Sequence, residues 1–307
     1  MTVKHLRIAT RRSPLAVWQA EHVAGRLQAL YPDLGVELVR LSTRGDEITD
    51  RPLMAVGGKA LFVKALEEGM LDGRADIAVH SMKDVPATVP EAFRLPVILA
   101  REDPFDAFVS RHYPDMASLP TGARVGTASL RRECQIRARR PDLVVESLRG
   151  NVQTRLGKLE AGDFDAIVLA ASGLQRLGMA DQITRAMPAS ESLPAVGQGA
   201  LGIECRADAP DVEALIRGLD DPDTHDRVAA ERAVNARLEG SCHVPLAAYA
   251  LLEDDGIWLR ALVASRDGRR VLRAEGRSSR AEGPALGVAV ADDLLAQGAG
   301  EILANVQ

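Results

Sequence analysis

Apolar and polar positions alternate along the first two thirds of the chain in a strand-then-helix rhythm. Residues 6–10 read as a short buried strand. Ser13 then reads as a helix cap with Pro14 in the first turn, and Leu15, Trp18, His22, Leu27 and Leu30 recur near helical spacing. Residues 36–41 predict the next strand, 59–71 a helix, and 75–79 and 95–100 two further strands. From Arg124 the pattern repeats: a strand to Gly126, a helix from Ser129, a strand over 143–146, a helix from Asn151, a strand over 165–170 and a helix from Ser172. Two similar α/β lobes follow from that repetition.

Segments 101–108 and 192–199 flank the second lobe and read as crossings between lobes, the latter through Leu-Pro-Ala-Val-Gly-Gln-Gly. A strand over 200–205 would then return the chain to the first lobe, so that two segments join the lobes and allow a hinge. After Asp220-Asp221-Pro222 a helix to Leu238, strands over 244–252, 257–265 and 270–275, and a helix over 283–297 predict a small C-terminal α+β domain. The expected division is 1–99 with 200–219, then 100–199, then 220–307. A chain of 307 residues, 46% hydrophobic, is long enough for two or three such cores.

No apolar run approaches the roughly 20 residues that cross a bilayer, and the N-terminus lacks the order of a signal peptide, which predicts a cytoplasmic protein away from membranes. Cys134, Cys205 and Cys242 are widely spaced with no CxxC pair, so neither a disulfide framework nor a metal site is expected. The net charge of −5 and 3% aromatic content disfavour a nucleic-acid surface, which needs cations and stacking platforms. Charge is nevertheless uneven. Between Arg124 and Arg155 stand eight arginines against Glu133, Asp142 and Glu146, and only five of the 38 basic residues of the chain are lysines. Arginine is the side chain whose planar fork matches a carboxylate in a bidentate way.

Position sharpens the point. In open α/β sheets ligands bind beyond the carboxyl ends of the strands, where helix N-termini offer free N–H groups. At those turns the chain carries Arg11 with Ser13, Lys83 with Asp84, Ser129 with Arg131 and Arg132, Arg149 and Asn151 with Arg155, and Ser172 with Arg176. One such junction is an ordinary capped helix; five predict a site for a ligand with many negative charges. Asp84 is the exception, a carboxylate that its cationic neighbours would keep ionised. Cys242, between Gly240-Ser241 and His243, sits where a thiol can be reached.

The strings VGGKALF (56–62), HSMKDVP (80–86), GTASLRR (126–132), SLRGNVQTRL (147–156), LPAVGQGALGIECR (193–206) and AERAVNARLEGSCHVP (230–245) resemble the porphobilinogen deaminase family, in order and over nearly the whole chain. The fold so implied is α/β: two periplasmic-binding-protein-like lobes joined by a two-segment hinge, plus a small C-terminal α+β domain. The resemblance implies a transferase of tetrapyrrole, heme-type, biosynthesis. It condenses four porphobilinogen molecules head to tail into hydroxymethylbilane, releases ammonia at each step, and grows the chain on a dipyrromethane cofactor held by a thioether to Cys242. By matching positions, Asp84 would hydrogen-bond pyrrole N–H groups and stabilise the cationic azafulvene. Arg11, Ser13, Lys83, Ser129, Arg131, Arg132, Arg149, Arg155 and Arg176 would bind carboxylates of cofactor and substrate. Lys59 would lie on a flap, and Thr127, Gly173, Gln198 and Gly199 would add contacts. No metal, nucleic acid or membrane partner is implied, and a monomer is expected.

The chain departs from the family pattern at Ala55-Val56, where some members carry a basic residue before VGGK, and at Ala128, where Ser is more usual. Three other readings compete: a two-lobed anion-binding protein without catalysis, a hydrolase pairing Cys242 with His80 or His243, and a nucleic-acid binder.

Overall fold

A computed structural model describes residues 3–41, 60–238, 244–254 and 256–305. The first elements are β1 (His5–Arg11), α1 (Pro14–Leu30), β2 (Gly35–Leu41), α2 (Ala60–Leu71), β3 (Ile77–Ser81), β4 (Phe93–Ile98) and β5 (Asp106–Val109). Next come β6 (Arg124–Gly126), α3 (Leu130–Arg139), β7 (Val144–Glu146), α4 (Val152–Glu160), β8 (Ala166–Ala170), α5 (Ala171–Arg176) and β9 (Arg185–Met187). The chain continues through β10 (Leu201–Arg206), α6 (Pro210–Ile216), α7 (Pro222–Arg237), β11 (Leu246–Glu253), β12 (Gly256–Ala264), β13 (Val271–Ser279), α8 (Gly283–Ala296) and α9 (Ala299–Ala304).

These elements form two compact units, Met1–Arg101 with Ala200–His225, and Glu102–Gly199 with Asp226–Gln307. In the first unit five strands pair in the order β2-β1-β3-β10-β4, parallel from β2 to β3 and antiparallel around β10. Successive side chains of a strand point to opposite faces, so both faces need cover. Leu6, Ile8, Ile77, Val79, Leu201 and Ile203 pack with Ala20, Val23 and Leu27 of α1. Ala9, Leu41 and Ala78 pack with Leu66 and Met70 of α2 on the other face.

Ser13 caps α1 as its sequence predicts, its Oγ accepting the Ala16 N–H at 3.4 Å with Pro14 in the first turn. The buried stripe of α1 is Gln19, Ala20, Val23 and Leu27. Of the expected face only Leu27 is core: Leu30 is half exposed, and Trp18 stacks on His22 with ring centroids 5.0 Å apart. Aromatic bulk mimicked a core stripe that smaller residues supply.

The second unit repeats the strand order of the first as β7-β6-β8-β5-β9, again parallel on one side and antiparallel around the fourth strand. Segment 101–108 is therefore not a crossing throughout. Asp106–Val109 is a sheet strand, with Phe108 packed among Val125, Ile136 and Val168, and Ala107 and Val109 packed on the opposite side with Leu156, Ile167 and Leu174. Strand β9 and helices α6 and α9 likewise go beyond the sequence expectation.

The same unit holds a third sheet, the antiparallel meander β11-β12-β13. One face packs on Ala230 and Val234 of α7 and Val290, Ala291 and Leu294 of α8. Ala247, Tyr249, Leu262 and Ala264 of the other face meet Cys134 of α3 and Leu193. The β12–β13 hairpin reaches the backbone of α3. At Gly268, where φ is +73°, a Cβ would stand 2.5 Å from Ala138 N and 2.8 Å from Cys134 O. Replacing Gly268 by alanine combines left-handed strain with a clash against backbone that cannot swing away, and a loss of about 2–4 kcal/mol is expected. Denaturant titration reads it directly; an unchanged midpoint would mean that the hairpin does not press on α3.

Candidate active site

In the first unit the chain leaves β3 at Ser81 and turns through a single 3-10 turn, Met82–Asp84. Three contacts fix that turn. Gln19 of α1 donates from Nε2 to Ser81 Oγ at 2.8 Å. The Met82 N–H donates to Ala200 O at 3.0 Å. The Met82 side chain fills the space over Gly202, where a Cβ would stand 2.3 Å from its Sδ. The backbone is thereby anchored while Lys83 and Asp84 remain only half buried. Arg11, also half buried, ends β1, and buried Thr10 beside it donates its hydroxyl to Ala16 O at 2.9 Å in α1.

The second unit is built around a carboxylate. Asp106 opens β5 fully buried, and its oxygens accept two bonds from Arg131, at 2.9 and 3.0 Å. They also accept Arg132 Nε at 2.9 Å, Ser192 Oγ at 2.6 Å and Gln198 Nε2 at 3.0 Å. Burial alone would raise this carboxyl; the two guanidiniums and Ser192 overcome it and hold Asp106 far below the usual carboxylate range. Burial, and then the neighbouring Arg131, lower Arg132 against the pull of Asp106. Arg131 also donates to Leu193 O at 2.7 Å, and Arg132 to Val168 O at 3.1 Å and Gln198 Oε1 at 3.3 Å.

Other predicted residues are placed with mixed results. Ser129 stands at the N-cap of α3 with no side-chain capping bond, while Thr127 Oγ1 accepts the Ser129 N–H at 3.2 Å. Asn151 does cap α4, accepting the Thr154 N–H at 2.8 Å. Arg155 donates from Nε to Gly150 O at 2.8 Å, and Arg149 is half buried at the start of the same turn. Ser172 is not a cap: α5 begins at Ala171, so Ser172 and Gly173 lie buried inside it. Arg176, at its end, is buried and ties two strands of chain together, donating to Glu102 Oε2 at 2.8 Å and to Gly199 O at 2.9 Å. At Gly199, with φ +91°, a Cβ would meet Glu102 O at 2.6 Å, so that close approach needs glycine. Lys59 and Cys242, and with them Ala55, Ser241 and His243, lie outside the described residues.

Asp106, Ser192 and Glu102 escaped the sequence reading. The available signal was an isolated acid opening the apolar run Ala107-Phe108-Val109 in the arginine-rich half of the chain. His80 is unsuited to the hydrolase reading, being buried with Nε2 2.8 Å from Glu204 Oε2.

Residues 6–214 match the family model described as porphobilinogen deaminase, dipyromethane cofactor binding domain, and residues 226–296 match the porphobilinogen deaminase C-terminal domain. The chain belongs to the porphobilinogen deaminase family. It is a hydroxymethylbilane synthase of tetrapyrrole biosynthesis, polymerising porphobilinogen with a dipyrromethane cofactor. Among solved structures it is similar to a putative methionine-binding lipoprotein from Bacillus subtilis, at 11% identity over 73% of this chain and 93% of the other, with a TM-score of 0.45. It is also similar to the periplasmic aliphatic sulphonate binding protein SsuA from Escherichia coli, at 14% identity over 78% and 71%, with a TM-score of 0.41. A periplasmic substrate-binding protein from Coxiella burnetii matches at 16% identity over 74% and 96%, with a TM-score of 0.43.

The deaminase cofactor carries carboxylates, and the Asp106 cluster suits one. Two buried guanidiniums share one buried carboxylate, so the cluster holds one positive charge more than it balances. Arg131 Nε is buried with no hydrogen-bond partner among the described residues. A buried donor and a buried surplus cation both favour an anion.

Asp106→Asn removes the negative charge those arginines share, and a loss of about 3–5 kcal/mol is expected. A depressed carboxyl stabilises the fold above its unfolded value near pH 4, and that contribution fades as pH falls. Urea midpoints measured from pH 7 down to pH 3 should therefore fall in the parent protein and fall less in the variant. Parallel curves would show that Asp106 does not carry this dependence.

Proposed function

We propose that Asp84 is the catalytic group of this deaminase and that Cys242 carries the cofactor, with the guanidiniums of the second unit binding its carboxylates. The observation that carries the reading is the surplus buried positive charge of Arg131 and Arg132 around Asp106. When bound, the dipyrromethane would supply the free terminal pyrrole carbon on which the first porphobilinogen condenses, each added pyrrole presenting the free carbon for the next. The chain's own residues do the rest. Arg131 and Arg132, locked by Asp106, orient carboxylates without needing to reorganise, the condition under which electrostatic stabilisation is most effective. Arg149 and Arg155, at the Gly150 turn before α4, extend the same cationic lining, joined by Ser129, Thr127, Gly173, Gln198 and Gly199. Arg176 adds to it while holding Glu102 and Gly199 together.

In the first unit Asp84 accepts pyrrole N–H groups and offsets the positive charge left on a pyrrole as ammonia departs. Lys83, Arg11 and Ser13 bind the acetate and propionate groups, together with Lys59. The anchored turn of Met82 supports this role, since a carboxylate that must meet a transient cation gains from a fixed backbone. The three-domain division, 1–99 with 200–219, 100–199 and 220–307, belongs to this proposal, as do a monomeric state and a cytoplasmic setting. Cys134 and Cys205 are both buried free thiols, in keeping with a reducing compartment. No helix among the described residues is long and apolar enough to cross a membrane.

Intact mass followed by peptide mapping tests the attachment: two linked pyrrole units on Cys242 are expected, and none after incubation with porphobilinogen would overturn it. Asp84→Asn should retain that added mass and lose most turnover, by about a hundred-fold or more. A near-normal rate would remove Asp84 from the chemistry. Arg132→Ala should instead yield protein lacking the adduct, and full cofactor loading in that variant would place the carboxylate elsewhere.

A further inference from the structure

One group of buried ionisable side chains has no part in the chemistry above. His80 and Glu204 meet at 2.8 Å, their residues 6% and 2% exposed. They lie on adjacent antiparallel strands, with His80 opposite Gly202 and Glu204 opposite Ala78, so they form a diagonal pair on the face covered by α2. Glu67 of α2 joins them. Its carboxyl is pushed up first by burial and then by Glu204, with His80 acting in the opposite sense. Lys64 and Glu68 of the same helix also reach Glu67 through their fields, and they pair with each other at 4.0 Å on the surface.

Nothing in the folding of the sheet calls for charge here. Neighbours Ile77, Ala78, Val79, Leu201, Ile203 and Cys205 are all buried and apolar or nearly so. A buried hydrogen-bonded polar pair is commonly no better for stability than well-packed apolar residues, so its presence points to a task other than stability. The task is legible in its place along the chain. His80 is the last buried residue of β3, one residue before Ser81, which ends the strand and precedes the turn that holds Lys83 and Asp84. The absent side chain of Gly202, directly opposite His80, is what admits Met82. The pair therefore clamps the strand ends between which the Asp84 turn is seated.

We propose that His80 and Glu204 are positioning residues for Asp84. The proposal rests on the reading of Asp84 as the catalytic group. It acts through the strand end rather than by contact with substrate, so it predicts a defect in turnover separable from cofactor assembly and from binding.

The test uses the holoenzyme with His80→Gln, Glu204→Gln, Asp84→Asn and the two double variants that combine His80→Gln with each of the others. His80→Gln and Glu204→Gln should each lower kcat about ten-fold while KM stays within about two-fold and the Cys242 adduct mass is unchanged. The His80→Gln/Glu204→Gln double variant should be no slower than either single, because the two act as one unit. In the Asp84→Asn background His80→Gln should cost nothing further, which a merely structural defect would not reproduce. Should His80→Gln fail to fold, Glu204→Gln, alone and in the Asp84→Asn background, carries the same test with the same expected outcomes. A kcat within two-fold of the parent for the single variants, or losses that multiply in the Asp84→Asn background, would overturn the positioning role. A fully active Asp84→Asn would sink the underlying assignment of Asp84 instead, whatever the His80 variants do.

Discussion

The buried Asp106 carboxylate is the constraint on which the second unit depends. Its two oxygens gather Arg131 and Arg132 from the first turn of α3, Ser192 and Gln198 from the segment that leads out of the sheet, and their own strand β5. Removing a carboxylate and two guanidiniums from water is costly, and only near-complete hydrogen bonding makes it tolerable. The rest of the unit is arranged to keep those bonds in place. Gln135 holds Leu193 by both its amide atoms, donating to the carbonyl at 3.1 Å and accepting the N–H at 2.8 Å. On the outer side of α3, the hairpin at Gly268 and the packing of Tyr249 and Leu262 near Cys134 fix the helix from the C-terminal sheet. The Cys134 thiol, pushed up to about 12 by burial, serves as packing in that seam and not as a nucleophile.

Both large sheets have one strand order, yet they solve different problems with it. In the first unit the turn bearing Asp84 is touched directly by neutral contacts, from Gln19, Met82 and Ala200, with the His80–Glu204 pair buried behind it, and the charged groups Lys83 and Asp84 stay near the surface. In the second the guanidiniums themselves are buried and the anchoring is ionic. The difference fits the roles proposed for each. A carboxylate meeting a transient cation has to remain accessible, whereas groups that hold a permanent anion gain from a low-dielectric surrounding in which the attraction is strong.

Much of this was readable from the chain. Short apolar runs followed by Ser13-Pro14 or Asn151 place the strands and the caps of α1 and α4 where they are found. The misses have physical causes. Strand β5 is four residues long and begins with an acid, so no alternation marks it out from a crossing. Trp18 and Leu30 lie at helical spacing with Leu27, but periodicity reports which positions share a face, not how deep that face sits, and the sheet meets α1 through Ala20 and Val23. Ser172 is the second residue of a six-residue helix that starts one position earlier than expected, a shift within the ordinary uncertainty of helix ends. Ionic partners separated by tens of residues, as Asp106 is from Arg131 and Glu102 from Arg176, cannot be paired from one sequence at all.

The preference for arginine over lysine takes on a specific meaning in this arrangement. Arg131 grips Asp106 with two nitrogens and Leu193 O with one of them, and its Nε–H remains over. Arg132 engages Asp106, Val168 O and Gln198 through three different nitrogens. A guanidinium carries five N–H donors in one rigid plane, so it can be immobilised by the protein and still direct a donor elsewhere. An ammonium has three donors on a flexible stem, and locking it by protein carboxylate and carbonyl would leave none with a fixed direction. Under the proposed anion-binding role a guanidinium held in the folded core suits the task better than an ammonium, and the cationic island between Arg124 and Arg155 contains both buried and exposed arginines.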